Sequence, residues 1–227
     1  MHKIILAGES SILIYFGDKI DTSLPENIAN FSNELKNQYS ELIIDLTQSY
    51  TSLLVNYDLS KIDYSKFSDK VEALLNNFQF SDSVKAPNII HVPVYYGFET
   101  GLDLERLLSE RDLSLDEFID IHSAGEYLVH AVGFSPNFAF LGQVDERIQA
   151  PRLATPRIKI PAGSVGIADY QTAIYPTDSS GGWNIVGRTL LDLSLNNSDN
   201  LDKFKTGDKV AFYPITRDEY LSNGGKL

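Results

Sequence analysis

The 227-residue sequence contains no cysteine, which excludes disulfide staples, thiolate metal sites and a cysteine nucleophile. Its four histidines, His2, His91, His122 and His130, lack the spacing of a ligand set, so no metal is expected. Long hydrophobic runs are missing as well, and the longest apolar stretches fall far short of the ~20 residues a membrane-spanning helix needs. The N-terminal "MHKIILAGESSILIYFGD" is interrupted by Gly8, Glu9 and two serines, with no small-residue cleavage site after it, and so does not read as a signal peptide. A soluble, cytoplasmic protein is the expectation. Positive charge is also scarce, with 19 Lys and Arg against 31 Asp and Glu for a net −12, which argues against nucleic acid and anionic membrane as partners.

What remains is an ordinary globular composition. At 43% hydrophobic and 22% charged residues, the chain can bury a substantial core without staples. The scarce positive charge is gathered in one place. Between Arg147 and Arg188 stand five basic residues (Arg147, Arg152, Arg157, Lys159, Arg188) against Asp169 and Asp178 alone. Either these are solvated side chains on strand edges, or they form a surface for a carboxylate or phosphate, the anions arginine binds best.

The first ~85 residues read as a small α/β domain in the order ββαββα. "KIILA" and "SILIYFG" suggest a hairpin, and "ELIIDLT" and "SLLVNYD" two further strands. "TSLPENIANFSNELKNQ" predicts a helix capped by Thr22 or Ser23, with Pro25 near its first turn and Ile28, Phe31 and Leu35 on one stripe. "DYSKFSDKVEALLNNF" predicts a second, with Phe67, Val71, Leu74, Leu75 and Phe78 inward. A strand near residue 90 is expected either to close this sheet or to bridge two halves of the chain. The polar "FSDSVKAP" marks the boundary, giving domains over 1–85 and 86–227. Two short helices follow, the second opened by a Ser114/Glu117 capping box. From Glu126 to Tyr213, short β-branched and aromatic pieces alternate with turn residues, the pattern of a barrel or sandwich. The fold class is α+β, a small ferredoxin-like domain before a β-barrel.

Candidate chemistry is sparse. His122 and Glu126, four residues apart in "HSAGEY", can serve as a proton-transfer pair, or His122 can simply cap a helix C-terminus. "GFSPNFAFLG" is either core beneath a turn or an apolar groove wall. Ser164 in "AGSVG" lacks the spacing of a nucleophile elbow. The glycine-rich stretch from Pro161 to Thr189 lacks the lysine and spacing of a phosphate loop.

Five stretches occur in a telling order: "VPVYYG", "HSAGEYLVHAVGFSPNFAFLG", "PRLATPRIKIPAGSVGIADYQTAIYP", "GGWNIVGRT" and "GDKVAFYPIT". In these the chain resembles the B-type subunit family of 5-oxoprolinase, also described as allophanate hydrolase subunit 1 or sporulation kinase inhibitor-like. The resemblance covers nearly the whole chain. It implies a cyclophilin-like barrel for the second domain and association with C-type and A-type subunits. It further implies ATP-dependent opening of 5-oxoproline, a lactam, to glutamate, with ATP (with magnesium) used by the complex. Two alternatives come with it: a regulator that docks and inhibits a sensor histidine kinase, and a component of an allophanate hydrolase or urea carboxylase system.

Mapped onto this sequence, the resemblance makes His122 and Glu126 catalytic candidates. Phe134, Pro136, Phe138, Arg157, Ser164, Gln171, Tyr175, Trp183 and Arg188 become candidates for substrate binding. In that picture Arg157 or Arg188 faces an anionic group, Gln171 and Tyr175 donate to the lactam, and Phe134, Phe138 and Trp183 form an apolar wall. The chain departs from the family where glycine is usual, at Asn137, Gln143, Asp169, Tyr170 and Ala173, and at Ser180 in place of proline. Asn and Asp tolerate the left-handed backbone that such glycines adopt. Gln143, Tyr170 and Ala173 are expected to add bulk near the groove.

Overall fold

The computed structural model describes residues 2–18, 23–80, 87–196, 200 and 203–227. The chain divides into two compact units, Met1–Pro87 and Asn88–Leu227.

In the first unit, β1 (Lys3–Gly8) and β2 (Ser11–Tyr15) form a hairpin, followed by α1 (Leu24–Tyr39), β3 (Ile43–Gln48), β4 (Ser52–Tyr57) and α2 (Tyr64–Asn77). The sheet order is β1-β2-β4-β3, antiparallel throughout. Period-two alternation buries Ile12, Ile14, Leu53 and Val55 on one face, where they meet Ile28, Phe31 and Leu35 of α1 and Phe67 and Val71 of α2. Each such side chain contributes about 1.5–3 kcal/mol when fully buried. The α1 N-cap position is Ser23, whose side chain makes no capping bond, with Pro25 in the first turn; Thr22 lies outside the described residues. Asp63 caps α2 by accepting from the Lys66 N–H at 3.0 Å.

The helix-bearing core β2-α1-β3-β4-α2 has the split β-α-β arrangement of a ferredoxin-like domain. Its fourth edge position is filled by β1, the chain's first strand, through a hairpin. The strand expected near residue 90 does not close this sheet. β5 (Ile89–Val94) pairs in parallel with β13 (Lys209–Pro214) in the second unit, because the edge it would have taken is already occupied.

The second unit continues with α3 (Leu104–Arg111), α4 (Leu115–Ser123), β6 (Glu126–Val132), β7 (Ala139–Gly142), β8 (Arg157–Ile160), β9 (Ser164–Ala168), β10 (Gln171–Ile174), β11 (Ser179–Gly181), β12 (Asn184–Arg188) and, after β13, α5 (Arg217–Ser222). Seven strands form one sheet in the order β12-β9-β10-β7-β6-β13-β5. Its two outer strands meet through a bridge in which Tyr95 and Arg188 exchange backbone hydrogen bonds of 2.9 and 3.0 Å. The sheet is thereby a nearly closed barrel.

Asp103, just before α3, reinforces that seam. Its N–H donates to the Ile185 carbonyl at 2.9 Å, and its carboxylate accepts from the Ile185 N–H at 2.7 Å. Val129, Leu141, Val165, Ile167, Val186 and Val210 fill one side of the sheet. Alternate residues Ala168, Ala173, Tyr175 and Ile185 point the other way and pack with Ile160 of the β8–β11 ribbon. The Ser114/Glu117 capping box opens α4 as expected, and Thr216/Glu219 forms a second box on α5. No helix among the described residues is long and apolar enough to cross a membrane.

Candidate functional site

His122 sits in the last turn of α4 and is fully buried, stacked on Phe212 at 4.8 Å between ring centroids. Its hydrogen bonds fix its tautomer. The Thr172 hydroxyl donates to the Gly166 carbonyl at 3.1 Å, so it accepts from His122 Nε2 at 3.1 Å, and His122 Nδ1 accepts from the Tyr96 hydroxyl at 2.7 Å. Burial lowers the imidazole pKa to about 3, leaving a neutral ring with both nitrogens satisfied. Glu126 is exposed at the start of β6, where it pairs with Lys209 at 2.9 Å. The structure therefore does not bring His122 and Glu126 together, and His122 is not a helix-capping cation either. It is the centre of a sealed polar knot inside the barrel.

A different group of residues converges on the far side of the sheet. Phe138 and Trp183 are both nearly buried and meet edge-to-face at 5.7 Å, with Phe134 packed on Phe138 at 5.2 Å. With Phe140 they wall a cleft of about 150 Å³, small against the 300–1,000 Å³ of drug-sized sites. Tyr175 and Gly181 are among its other lining residues. Gly181 is needed there, since a Cβ would lie 2.3 Å from the Tyr175 hydroxyl. Burial pushes the Tyr175 phenol up to about 12, against a smaller opposing effect of a hydrogen bond from the Trp183 backbone. The phenol thus keeps its proton at neutral pH and can donate it. Phe134 is 69% exposed and holds φ +73°, a backbone conformation that is strained for a bulky residue and that clusters at functional positions.

Arg152 stands at the mouth of this cleft, its guanidinium 5.9 Å from the Trp183 ring centroid. The sequence named Arg152 only within the basic cluster, Phe140 only within "GFSPNFAFLG" and Ser180 only as a departure from the family, though all three line the cleft. The available signal was the cluster of basic residues after Arg147, which does not say which of them is already paired.

The remaining candidates fall elsewhere. Arg157 is bound bidentately to Asp103, both bonds 2.8 Å, and so ties β8 to the barrel seam. Pro136 is exposed in the turn before β7. Gln171 is largely buried on β10, opposite Gly142 of β7. Ser164 and Arg188 face each other across the β9–β12 ladder. The Ser164 hydroxyl is buried without a hydrogen-bond partner among the described residues, and Arg188 Nη1 donates to the Lys226 carbonyl at 3.0 Å. The expected single groove thus separates: Phe134, Phe138, Tyr175 and Trp183 meet at one cleft, while Arg157, Ser164, Gln171 and Arg188 do not line it.

The departures from glycine have local explanations. Asn137 and Asp169 both hold left-handed backbone, at φ +61° and +53°, so the turns survive the loss of glycine. The Asn137 amide then gains bonds to the carbonyls of Leu193 and Asn200, at 2.9 and 2.8 Å. Ala173 is buried beneath the aromatic cluster, whereas Gln143 and Tyr170 lie outside the cleft lining.

The chain is of the carboxyltransferase-domain class, since residues 2–201, reaching across both units, match the family described as "Carboxyltransferase domain, subdomain C and D". The chain is 35% identical to the B-type 5-oxoprolinase subunit of Bacillus subtilis (strain 168), over 96% of this chain and 95% of that protein. Among solved structures, the conserved uncharacterized protein PH0987 from Pyrococcus horikoshii is 37% identical with a TM-score of 0.55, covering 96% of this chain and 100% of its own. TTHA0988 is 26% identical with a TM-score of 0.78, and there 90% of this chain corresponds to 40% of the larger one. The chain belongs to the B-type subunit family of 5-oxoprolinase.

Proposed function

We propose that this protein is the B-type subunit of an ATP-dependent 5-oxoprolinase, working with C-type and A-type subunits to open 5-oxoproline to glutamate. The observation that carries the reading is the end-to-end match with the B-type 5-oxoprolinase subunit of Bacillus subtilis. The cleft on the barrel supports it by size and lining. A five-membered lactam is small and flat, and the walls formed by Phe134, Phe138 and Trp183 offer it apolar faces and exclude bulk water. The Tyr175 hydroxyl, still protonated at neutral pH, is the donor for the lactam carbonyl oxygen, where negative charge develops as water adds.

Lactam hydrolysis breaks the ring C–N bond, adds the elements of water and leaves an amine and a carboxylate, with ATP supplying the driving force. The cleft does not fit a magnesium nucleotide. It is too small, and its one charged group is a guanidinium. No group of three or more His, Asp or Glu side chains that could hold a metal ion occurs among the described residues. In this reading ATP binds outside this cleft, and the chain alone is inactive.

The test is reconstitution of the three subunits and measurement of glutamate released from 5-oxoproline and ATP. Full activity is expected only with all three, and unchanged activity when this chain is omitted overturns the reading.

A further inference from the structure

Of the seven arginines in the sequence, six are committed to protein groups. Arg106 pairs with Glu110 and Asn184, and Arg111 donates to the Gln149 carbonyl. Arg147 pairs with Asp145, Arg157 with Asp103 and Arg217 with Glu99. Arg188 donates to the Lys226 carbonyl. Among the described residues Arg152 is the one arginine with no hydrogen-bond or ion-pair partner, and its guanidinium lies over the face of Trp183. An exposed arginine without a carboxylate is unremarkable by itself. This one lies at the mouth of an apolar cleft whose other lining residues carry no formal charge. A guanidinium resting on an aromatic face keeps its edge free, and that edge is the fork that binds a carboxylate with two parallel bonds.

We propose that Arg152 is the specificity-determining residue of this cleft, gripping the carboxylate of a cyclic amino-acid-derived acid while the ring lies in the cleft against Phe134 and Trp183. This rests on the reading of the cleft as the substrate site. It adds that the site selects anionic rings over neutral lactams of the same size. The Trp183 face holds the guanidinium over the opening, and Tyr175, on the cleft lining, is the donor for the ring carbonyl. A ligand spanning both carries a carboxylate at one end of a five-membered ring and an acceptor at the other. A carboxylate at the mouth would meet the only positive charge in the lining, whereas a neutral ring would leave that charge in water. The electrostatic preference is therefore built into one side chain.

Trp183 is the chain's only tryptophan, so its fluorescence reports occupancy of this cleft in the isolated full-length chain. The experiment titrates 5-oxoproline, tetrahydrofuran-2-carboxylate and the neutral 2-pyrrolidinone against the native chain, Arg152→Gln and Arg152→Lys. A charge-assisted bidentate contact corresponds to about a 10- to 100-fold weakening of both acids in the Gln variant. Binding of 2-pyrrolidinone stays unchanged, and Arg152→Lys, which keeps the charge and loses the fork, falls between. Equal binding of the acids by native chain and Gln variant overturns the proposal. So does equal loss of acid and neutral lactam, which would mean that Arg152 only shapes the cleft, and so does failure of either acid to alter Trp183 emission in the native chain. Turnover by the reconstituted subunits is measured separately. A selective fluorescence response without turnover leaves the anion site standing and removes the 5-oxoprolinase reading, and turnover without an Arg152 effect does the reverse.

Discussion

Residues 88–227 hold two aromatic clusters built from similar side chains, and they do opposite things. Around His122, the rings of Tyr96, Phe118, Tyr127 and Phe212 enclose a polar group whose every hydrogen-bonding atom is used. Around Trp183, the rings of Phe134, Phe138 and Phe140 leave a gap, and the nearby cation is unpaired. Buried polar groups that are fully satisfied specify a core. Apolar walls with one uncompensated charge are the makings of the binding site proposed above. A histidine beside a carboxylate in sequence is thus a poorer guide to chemistry here than an arginine with nothing to hold.

The contrast can be broken from the Trp183 side first. Trp183→Ala removes a nearly buried ring and is expected to cost about 3–5 kcal/mol of unfolding free energy, read by denaturant titration, together with loss of cleft binding. Next comes pH. His122 stays neutral in the fold down to about 3, whereas in the unfolded chain it protonates near 6.5. The folded pKa is the lower one, so the contribution to stability is complete above about 6.5 and declines as pH falls toward 3. Between pH 7 and 5 the loss is about 2 kcal/mol. His122→Gln should flatten that part of the stability–pH curve, and an unaltered slope would mean the knot is not sealed.

Smaller still is Tyr175→Phe, expected to change stability by about 1 kcal/mol while removing the proposed carbonyl donor. It should lower kcat of the reconstituted complex without altering the preference for anionic ligands. Smallest is Glu126→Gln, which breaks an exposed pair worth less than about 1 kcal/mol. Activity should be unchanged, and a large loss would return Glu126 to the site.

Local signals in the sequence carried most of the fold. Helical stripes placed Ile28, Phe31 and Leu35 in the first core, the Ser114/Glu117 box marked the start of α4, and short alternating runs gave the barrel strands. What stayed hidden depended on partners far away in the chain. The destination of β5 is decided by β13, more than a hundred residues on. Arg157 and Arg152 sit five residues apart in one basic segment, yet Asp103, 54 positions upstream of Arg157, commits one and leaves the other free. The aromatic cleft was half legible: Phe134, Phe138, Tyr175 and Trp183 were assigned to a site, while the cation and the β11 residues that complete it were not. His122 was named for chemistry because Glu126 stands four residues on in the sequence, whereas its partners in space are Phe212, Thr172 and Tyr96.

The barrel seam has a mechanical consequence. Six aligned residue pairs join β5 to β13, but the cylinder is completed by one residue pair at Tyr95 and Arg188 and by Asp103, a single residue standing in for a strand. A ring under thermal load parts at its thinnest link. Amide hydrogen exchange at Tyr95, Ile185 and Arg188 should therefore run ahead of exchange along β5 and β13. Gly187 allows the two edges to meet this closely, since a Cβ there would lie 2.7 Å from the Tyr95 carbonyl oxygen. A side chain at that position would turn the cylinder into an open, curled sheet.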